Sequence, residues 1–391
     1  MSDFMKDIHA QAAGLPEEMR SRIELERVEL RAGAIRFVAP YAADKGYRRL
    51  VLVADANTYE AAGKSAEASL TAAGIDVPVA RIQPNAIGDV VADEASIVQL
   101  LLEIQRHRAE AVLAVGSGTL HDIARYAAYT AGIPFLSVPT APSVDGFNSK
   151  GAPLLIRGDK ITVAAIGPDA IFADLDILAQ APPPLVAAGF GDMLGKYTSL
   201  FDWRFGALVH DEPYLEASAA MTRSALQRCV DHAGLIGKRD EEGIAILTGA
   251  LIESGFAMLL FGQSHPASGA EHHLSHYWEM DSIRQGRKQL LHGAKVGVAC
   301  AEISRLYHRL ADEGPDRWRG RERIAGLWGE IAALVRRIPD AETIADLLRA
   351  AGGPTSPGEL GIGEALVSRS LREAHRIRPN RYTLLHAYNE A

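Results

Sequence analysis

The chain has little cysteine: Cys229 and Cys300 are its only two, far apart and in no CxxC pair. That excludes a disulfide framework and fits a reducing compartment, with the cytoplasm as the default. Positive charge is also in short supply, since 41 Lys and Arg face 49 Asp and Glu for a formal net charge of -8. With no long basic run to offset this, the molecule repels phosphodiester backbones, and a nucleic-acid partner is not expected. No apolar run approaches the roughly 18 residues of a membrane span. The start, "MSDFMKDIHAQAAGLPEEMR", lacks a basic segment followed by an apolar core. Neither export nor membrane anchoring is expected.

What is present describes a large α/β protein. At 391 residues, 48% apolar and 23% charged, the chain is too long for one ordinary core and suggests two domains or one large α/β enzyme. From about residue 48, the short β-rich runs "RRLVLVAD", "VPVARI", "AVLAVG" and "IPFLSVPT" alternate with helical patterns through Leu70, over 91–107 and in "TLHDIARYAAYTAG". Continuous apolar strands between amphipathic helices predict a parallel sheet covered on both faces, with ligands at the strands' carboxyl ends. "KGAPLLIRGDKITVAAIG" reads as a hairpin with Gly158 and Asp159 in its turn, followed by one more strand, "AIFADLD". After the "PPP" at 182–184 strand-like runs largely disappear. A boundary near residue 183 therefore separates an α/β domain, 1–183, from an all-helical domain, 184–391.

"AVLAVGSGTLHDIARYAA" has the form strand, tight turn, helix. Gly116 and Gly118 let the backbone approach a ligand closely, and the helix N-terminus offers free N–H groups to a pyrophosphate. His121 takes the place of the third glycine of GxGxxG, so the motif competes with an ordinary βα turn. Asp55 ends the strand "LVLVAD", where a carboxylate holds ribose hydroxyls, repels a 2′-phosphate and so favours NAD over NADP; it serves equally well as a helix N-cap. The loop "VPTAPSVDGFNSKG" brings Thr140, Ser143, Asp145, Asn148 and Ser149 to the same layer.

In "ASGAEHHLSHYWEM", His272 and His276 are four apart, so on a helix their Cβ atoms lie roughly 5–6 Å apart and both can reach one ion. His273 points elsewhere, as a solvated or supporting residue. The HExxH signature would need a glutamate where His273 stands, which removes the general base of a metalloprotease. A catalytic metal takes three protein ligands and keeps an open position. Asp192 in "AAGFGDMLGKYT" and His292 in "QLLHGAKVG" are candidates for the remainder. Each also has a structural reading, Asp192 as an N-cap at a helix start and His292 as a helix C-terminal residue favoured by the dipole.

Taken in order, "GSGTLHD", "TAPSVDG", "GFGD", "GAEHHLSH" and "LHGAKVG" resemble the sn-glycerol-1-phosphate dehydrogenases. These are a branch of the group that also holds glycerol dehydrogenase, iron-containing alcohol dehydrogenases and dehydroquinate synthase. The resemblance spans about residues 30–390, including the terminal "RYTLLHAYNE". It implies a Rossmann-like NAD-binding domain, a helical domain of the dehydroquinate synthase-like kind, and one divalent metal in the cleft between them. Carried over residue by residue, the metal ligands are Asp192, His272 and His292, with Asp192 also near the substrate. His276 and Asp145 face the substrate as catalytic residues. Asp55, the turn Gly118, Thr119, Leu120, His121 and Asp122, the segment Thr140, Ala141, Pro142 and Ser143, and Ser149 hold the dinucleotide. Two departures stand out: Val144 precedes Asp145 where some relatives carry histidine, and His121 replaces an aliphatic residue.

The reaction so implied is reversible reduction of dihydroxyacetone phosphate at C2 by NADH or NADPH, NAD being preferred, with His276 relaying the proton. The ion is nickel or zinc, iron being suited as well, and relatives suggest a homodimer. Lys150, Lys196 and Lys295 neighbour the motifs as partners for the substrate phosphate, and spacing does not choose among them. The rivals are a glycerol or other polyol dehydrogenase, a dehydroquinate-synthase-like cyclase, and a nucleotide- or metal-sensing protein on the same scaffold.

Overall fold

Eight strands organise the first half of the chain: β1 (Arg27–Arg31), β2 (Leu50–Ala54), β3 (Val79–Arg81), β4 (Ala111–Gly116), β5 (Phe135–Pro139), β6 (Gly151–Ile156), β7 (Asp159–Ala164) and β8 (Ala170–Asp174). The computed structural model describes residues 3–390. β2, β4, β5 and β8, the unbroken apolar runs, are buried along their whole length at the centre of a six-stranded sheet. Its order is β1-β8-β5-β4-β2-β3, and every pairing is parallel. The chain leaves β2 for β3 on one side and reaches β4 on the other. The carboxyl ends of β2 and β4 therefore flank a topological switch point, the crevice where such sheets bind ligands.

Two details depart from expectation. β1 precedes the region where the sequence shows a strand rhythm; "RVELR" alternates charge with aliphatics because it is an edge strand, paired only with β8. In the β6–β7 hairpin, Ile156 pairs with Asp159, so the two-residue turn is Arg157–Gly158 rather than Gly158–Asp159. Both turn residues have positive φ, 51° and 82°, the geometry whose twist matches that of the flanking strands.

From Pro183 onward the elements are helical, and after β8 no strand follows among the described residues. The helix Glu241–Phe261 corrects the sequence estimate of apolar run length. Its 21 residues are long and apolar enough to cross a bilayer, with mean hydropathy 2.0 over the best window, yet 83% of that window is buried inside the fold. It is the central core helix of the second half. Met5, Ile8 and Ala12 of the helix Asp3–Ala12 join this helical core, although they precede the sheet in sequence.

Glycines set the closest crossing in that half. The helices Pro183–Leu194 and His292–Glu313 run past one another so tightly that a Cβ on Gly293 would lie 1.8 Å from the Ala188 carbonyl oxygen. A Cβ on Gly191 would lie 2.5 Å from that of Gly293. The residues beside these contacts are Asp192 and His292. Gly293→Ala should therefore cost about 1–3 kcal/mol through overpacking. Gly329→Ala, in the helix Glu322–Val335 with nothing within 4 Å of its added methyl, should stabilise instead, by about 0.5–1 kcal/mol. Urea unfolding of both variants checks this; a change of the same sign at both positions contradicts the packing account.

Candidate metal and dinucleotide cleft

The helix Ala270–Arg284 begins with Glu271 and His272, both buried. Glu271 Oε1 accepts from the Gly269 N–H at 2.7 Å and lies 2.7 Å from His272 Nδ1, while its Oε2 accepts from Thr198 Oγ1 at 2.6 Å. Burial works against the Glu271 charge, but His272, Thr198 and the Gly269 N–H outweigh it and hold the carboxyl below its usual range. An ionised Glu271 fixes His272 as a donor through Nδ1, so Nε2 presents a lone pair. That Nε2 lies 3.7 Å from Asp192 Oδ1.

Asp192, His272 and His292 each offer one donor atom, and these atoms lie within 4.8 Å of one another. One carboxylate and two imidazoles at that spacing suit a single ion with bonds of about 2.0–2.2 Å. Charge points the same way. Asp192, Asp145 and Glu271 are buried carboxylates, and Lys196 is the buried ammonium among them, 2.8 Å from Asp145 Oδ2 and 3.2 Å from Asp192 Oδ1. Three negative charges against one positive leave two, which a divalent cation balances. Burial disfavours the Lys196 charge, yet Asp145 and Asp192 raise its pKa above the ordinary value. The residues present therefore fit a metal.

Both candidates for the remaining ligand positions sit differently from their structural readings. Asp192 lies in the last turn of its helix, not at a helix start, so it is no N-cap and the helix dipole opposes its charge. His292 is the first residue of its helix, not the last. His276, the sequence's first partner for His272, lies with its ring centroid 6.1 Å away, against 5.2 Å for His292. His276 joins a second group with Glu279 and His292. Glu279 there is already taken, by Lys160 at 2.7 Å and Lys295 at 3.2 Å. His273 is not solvated: it is fully buried, with neither ring nitrogen hydrogen-bonded among the described residues.

A cavity of about 1070 Å³ joins these histidines to the sheet's carboxyl edge. Asp55, Gly118, Thr119, Leu120, Asp122, Ser143, Asp145 and Ser149 line it together with His272, His276 and His292. His121, Thr140, Ala141 and Pro142 do not. His121 turns beneath the turn, bonded through Nδ1 to the Ser117 carbonyl and through Nε2 to Ser137 Oγ, and burial pushes its pKa down to about 4. The Thr140–Pro142 segment acts as a brace: Thr140 N–H donates to the Gly116 carbonyl at 2.9 Å, and the Pro142 carbonyl oxygen fills the space beside Gly189. Asp55 caps the following helix, its carboxylate accepting from the Thr58 N–H at 2.8 Å while still facing the cavity. Asp145 accepts from Ser254 Oγ at 2.7 Å, and its own N–H donates to Asp192 Oδ2 at 2.9 Å.

Of the lysines named from sequence, Lys150 is exposed outside the cavity, Lys196 is enclosed by the two aspartates, and Lys295 lines the cavity beside Glu279. Lys160 and Arg378 complete the cationic wall, with Glu279 between Lys160 and Lys295, and all three were missed. Lys160 reaches Glu279 across 119 positions, from the hairpin to a helix, a pairing no local pattern signals.

A family model for iron-containing alcohol dehydrogenase matches residues 29–182. The chain is 47% identical over 377 residues to the glycerol-1-phosphate dehydrogenase (NAD(P)+) of Geobacillus stearothermophilus, covering 94% of this chain and 93% of that one. It is 46% identical to the protein of the same name from Geobacillus thermodenitrificans, again over 94% and 93%. Among solved structures, a probable glycerol dehydrogenase from Sinorhizobium meliloti superposes with TM-score 0.66 at 21% identity, covering 92% of this chain and 91% of that one. At that identity the likeness concerns the fold.

Glu271 is not one of the three clustered donors but orients His272, which is. Glu271→Gln should weaken divalent-metal affinity by about 10–100-fold while leaving all three ligands in place. Metal titration with a chromophoric chelator as competitor measures this, and unchanged affinity refutes the orienting role.

Proposed function

The chain belongs to the glycerol-1-phosphate dehydrogenase family, and on that premise we propose that it reversibly reduces dihydroxyacetone phosphate at C2 to sn-glycerol 1-phosphate with NADH or NADPH. The observation that carries this reading is that His272 and His292, which cluster with Asp192, line the same cavity as the Gly118 turn. Asp192, His272 and His292 hold one divalent ion, nickel or zinc, with iron equally suited to this donor set. When bound, the ion supplies Lewis acidity toward the C2 oxygen and the nicotinamide supplies the hydride.

The chain's own groups do the rest. Hydride addition leaves negative charge on the C2 oxygen, and a proton must follow. His276, neutral because burial drives its pKa well below its usual value, relays that proton from solvent, accepting it at one ring nitrogen as the other gives up its own. Asp145, placed by Lys196 and the Ser254 hydroxyl, accepts a hydrogen bond from a substrate hydroxyl. The turn from Gly118 to Asp122, with Ser143 and Ser149, holds the pyrophosphate, and Asp55 the adenosine ribose. Lys160, Lys295 and Arg378 meet the substrate phosphate. The enzyme works as a cytoplasmic homodimer on a small phosphorylated triose, without a nucleic-acid or membrane partner.

The decisive assay follows NADH oxidation with dihydroxyacetone phosphate and with dihydroxyacetone, before and after chelation and with single metals restored. Steady, metal-restored oxidation with the phosphate is expected. Preference for the unphosphorylated ketone points instead to a polyol dehydrogenase, and turnover without net NADH change to a cyclase. His272→Ala and His292→Ala should lose metal and activity together. His276→Ala should keep its metal and lose about 10²–10⁴-fold in rate; loss of metal in that variant makes His276 a ligand instead.

A further inference from the structure

β2 and β3 end side by side. Ala54 is in register with Arg81, and the Ile82 N–H donates to the Ala54 carbonyl oxygen at 2.9 Å. Asp55 follows Ala54 directly, so an aspartate and an arginine leave the sheet on neighbouring strands, which run about 4.8 Å apart. Both line the cavity where β2 and β3 meet the crevice.

Arg81 is held in place. Its guanidinium carbon lies 3.9 Å from the centroid of the Tyr59 ring. Tyr59 stands one helical turn beyond Asp55, its N–H donating to the Asp55 carbonyl at 3.0 Å, and its hydroxyl donates to Glu67 Oε2 at 2.5 Å. Tyr59 thus meets the guanidinium with its ring and its hydroxyl, and the remaining N–H groups of Arg81 can reach a planar or tetrahedral anion. No carboxylate is paired with Arg81 among the described residues, although most arginines of this chain have such a partner. Asp55, by contrast, already has one oxygen engaged by the Thr58 N–H.

In dinucleotide folds a carboxylate at this point accepts from a free ribose 2′-hydroxyl, and a nearby arginine accommodates a 2′-phosphate. This chain carries both. We infer that Arg81 is the residue of the cleft that contacts the 2′-phosphate when NADPH rather than NADH is bound. The inference rests on the dinucleotide reading of the cavity, and it revises the NAD preference that Asp55 alone suggests. Asp55 repels the phosphate; Arg81 offsets that repulsion with charge-assisted, two-pronged hydrogen bonds.

Calorimetric titration of the full chain with NADH, NADPH, 5′-AMP and 2′,5′-ADP tests it without relying on turnover. Arg81→Ala should weaken NADPH and 2′,5′-ADP by about tenfold or more, the loss expected for a hydrogen bond to a charged group, and leave NADH and 5′-AMP within about twofold. Asp55→Asn keeps a good N-cap residue and should shift the ratio the other way, tightening NADPH relative to NADH. Equal weakening of phosphorylated and unphosphorylated ligands by Arg81→Ala, or no weakening, overturns the assignment while leaving the cofactor reading intact. Failure of the wild type to bind either dinucleotide overturns both.

Discussion

Asp192 holds a negative charge in the last turn of a helix, out of contact with water, where the helix dipole adds to the cost rather than relieving it. A carboxylate in such a place costs several kcal/mol unless it is paired and hydrogen-bonded on every side. The surroundings are arranged around that need. Lys196 approaches one oxygen and the Asp145 N–H donates to the other, while His272 turns a lone pair toward the same carboxylate because Glu271 holds the opposite ring nitrogen. Two buried carboxylates remain after Lys196 is counted, an excess that a dication beside Asp192 would balance.

The same interactions tie the sheet to the helices. Asp145 belongs to the loop after β5, and its N–H bond to Asp192 joins that loop to the ligand helix. Gly189 lets the helix press against the Pro142 carbonyl, and Gly293 lets the His292 helix press against the first. Across the opening, Asp89 accepts from the Gln289 N–H at 2.9 Å, and Lys160 of the hairpin reaches Glu279 at 2.7 Å. The spacing between the glycine turn and the histidines is thus set by backbone contacts and buried hydrogen bonds. Rigid support of this kind is what a hydride transfer between two separately held partners requires.

The parallel sheet was legible because its buried strands are continuous apolar runs between amphipathic helices, a pattern set by burial on both faces. β1 was not, because an edge strand with one partner keeps its charges. At the site, helical periodicity paired His272 with His276, its neighbour one turn away, whereas the fold brings His292 closer from a separate helix. Only the ordered set of five motifs corrected that local choice. The glycine after His292 looked like a helix stop; in the fold Gly293 lies inside a helix, at a contact that only a missing side chain allows. Glu271 was visible beside the histidines, but its function depends on a bend that folds its carboxylate back on Gly269, Thr198 and His272 together. Lys160 and Arg378 come from the hairpin and the last segment of the chain, and no spacing rule connects them.

An acidic chain that binds anionic ligands raises a problem of field. Formal charge of -8 describes solubility and long-range steering, not the inside of a cleft. Along the cavity wall the acids are backed from behind: Asp122 by the buried Arg125 at 2.8 Å, Asp145 by Lys196, Glu279 by Lys160 and Lys295, and Asp55 by a helix N-terminal N–H. Burial also raises the Asp122 pKa to about 7, which thins its charge further. Among the described residues Arg81 and Arg378 form no ion pair with a carboxylate, and Lys295 shares Glu279 with Lys160. The wall formed by Arg81, Lys160, Lys295 and Arg378 therefore offers positive charge to an anionic ligand, inside a molecule of the opposite overall sign. Low-dielectric walls sharpen that local field.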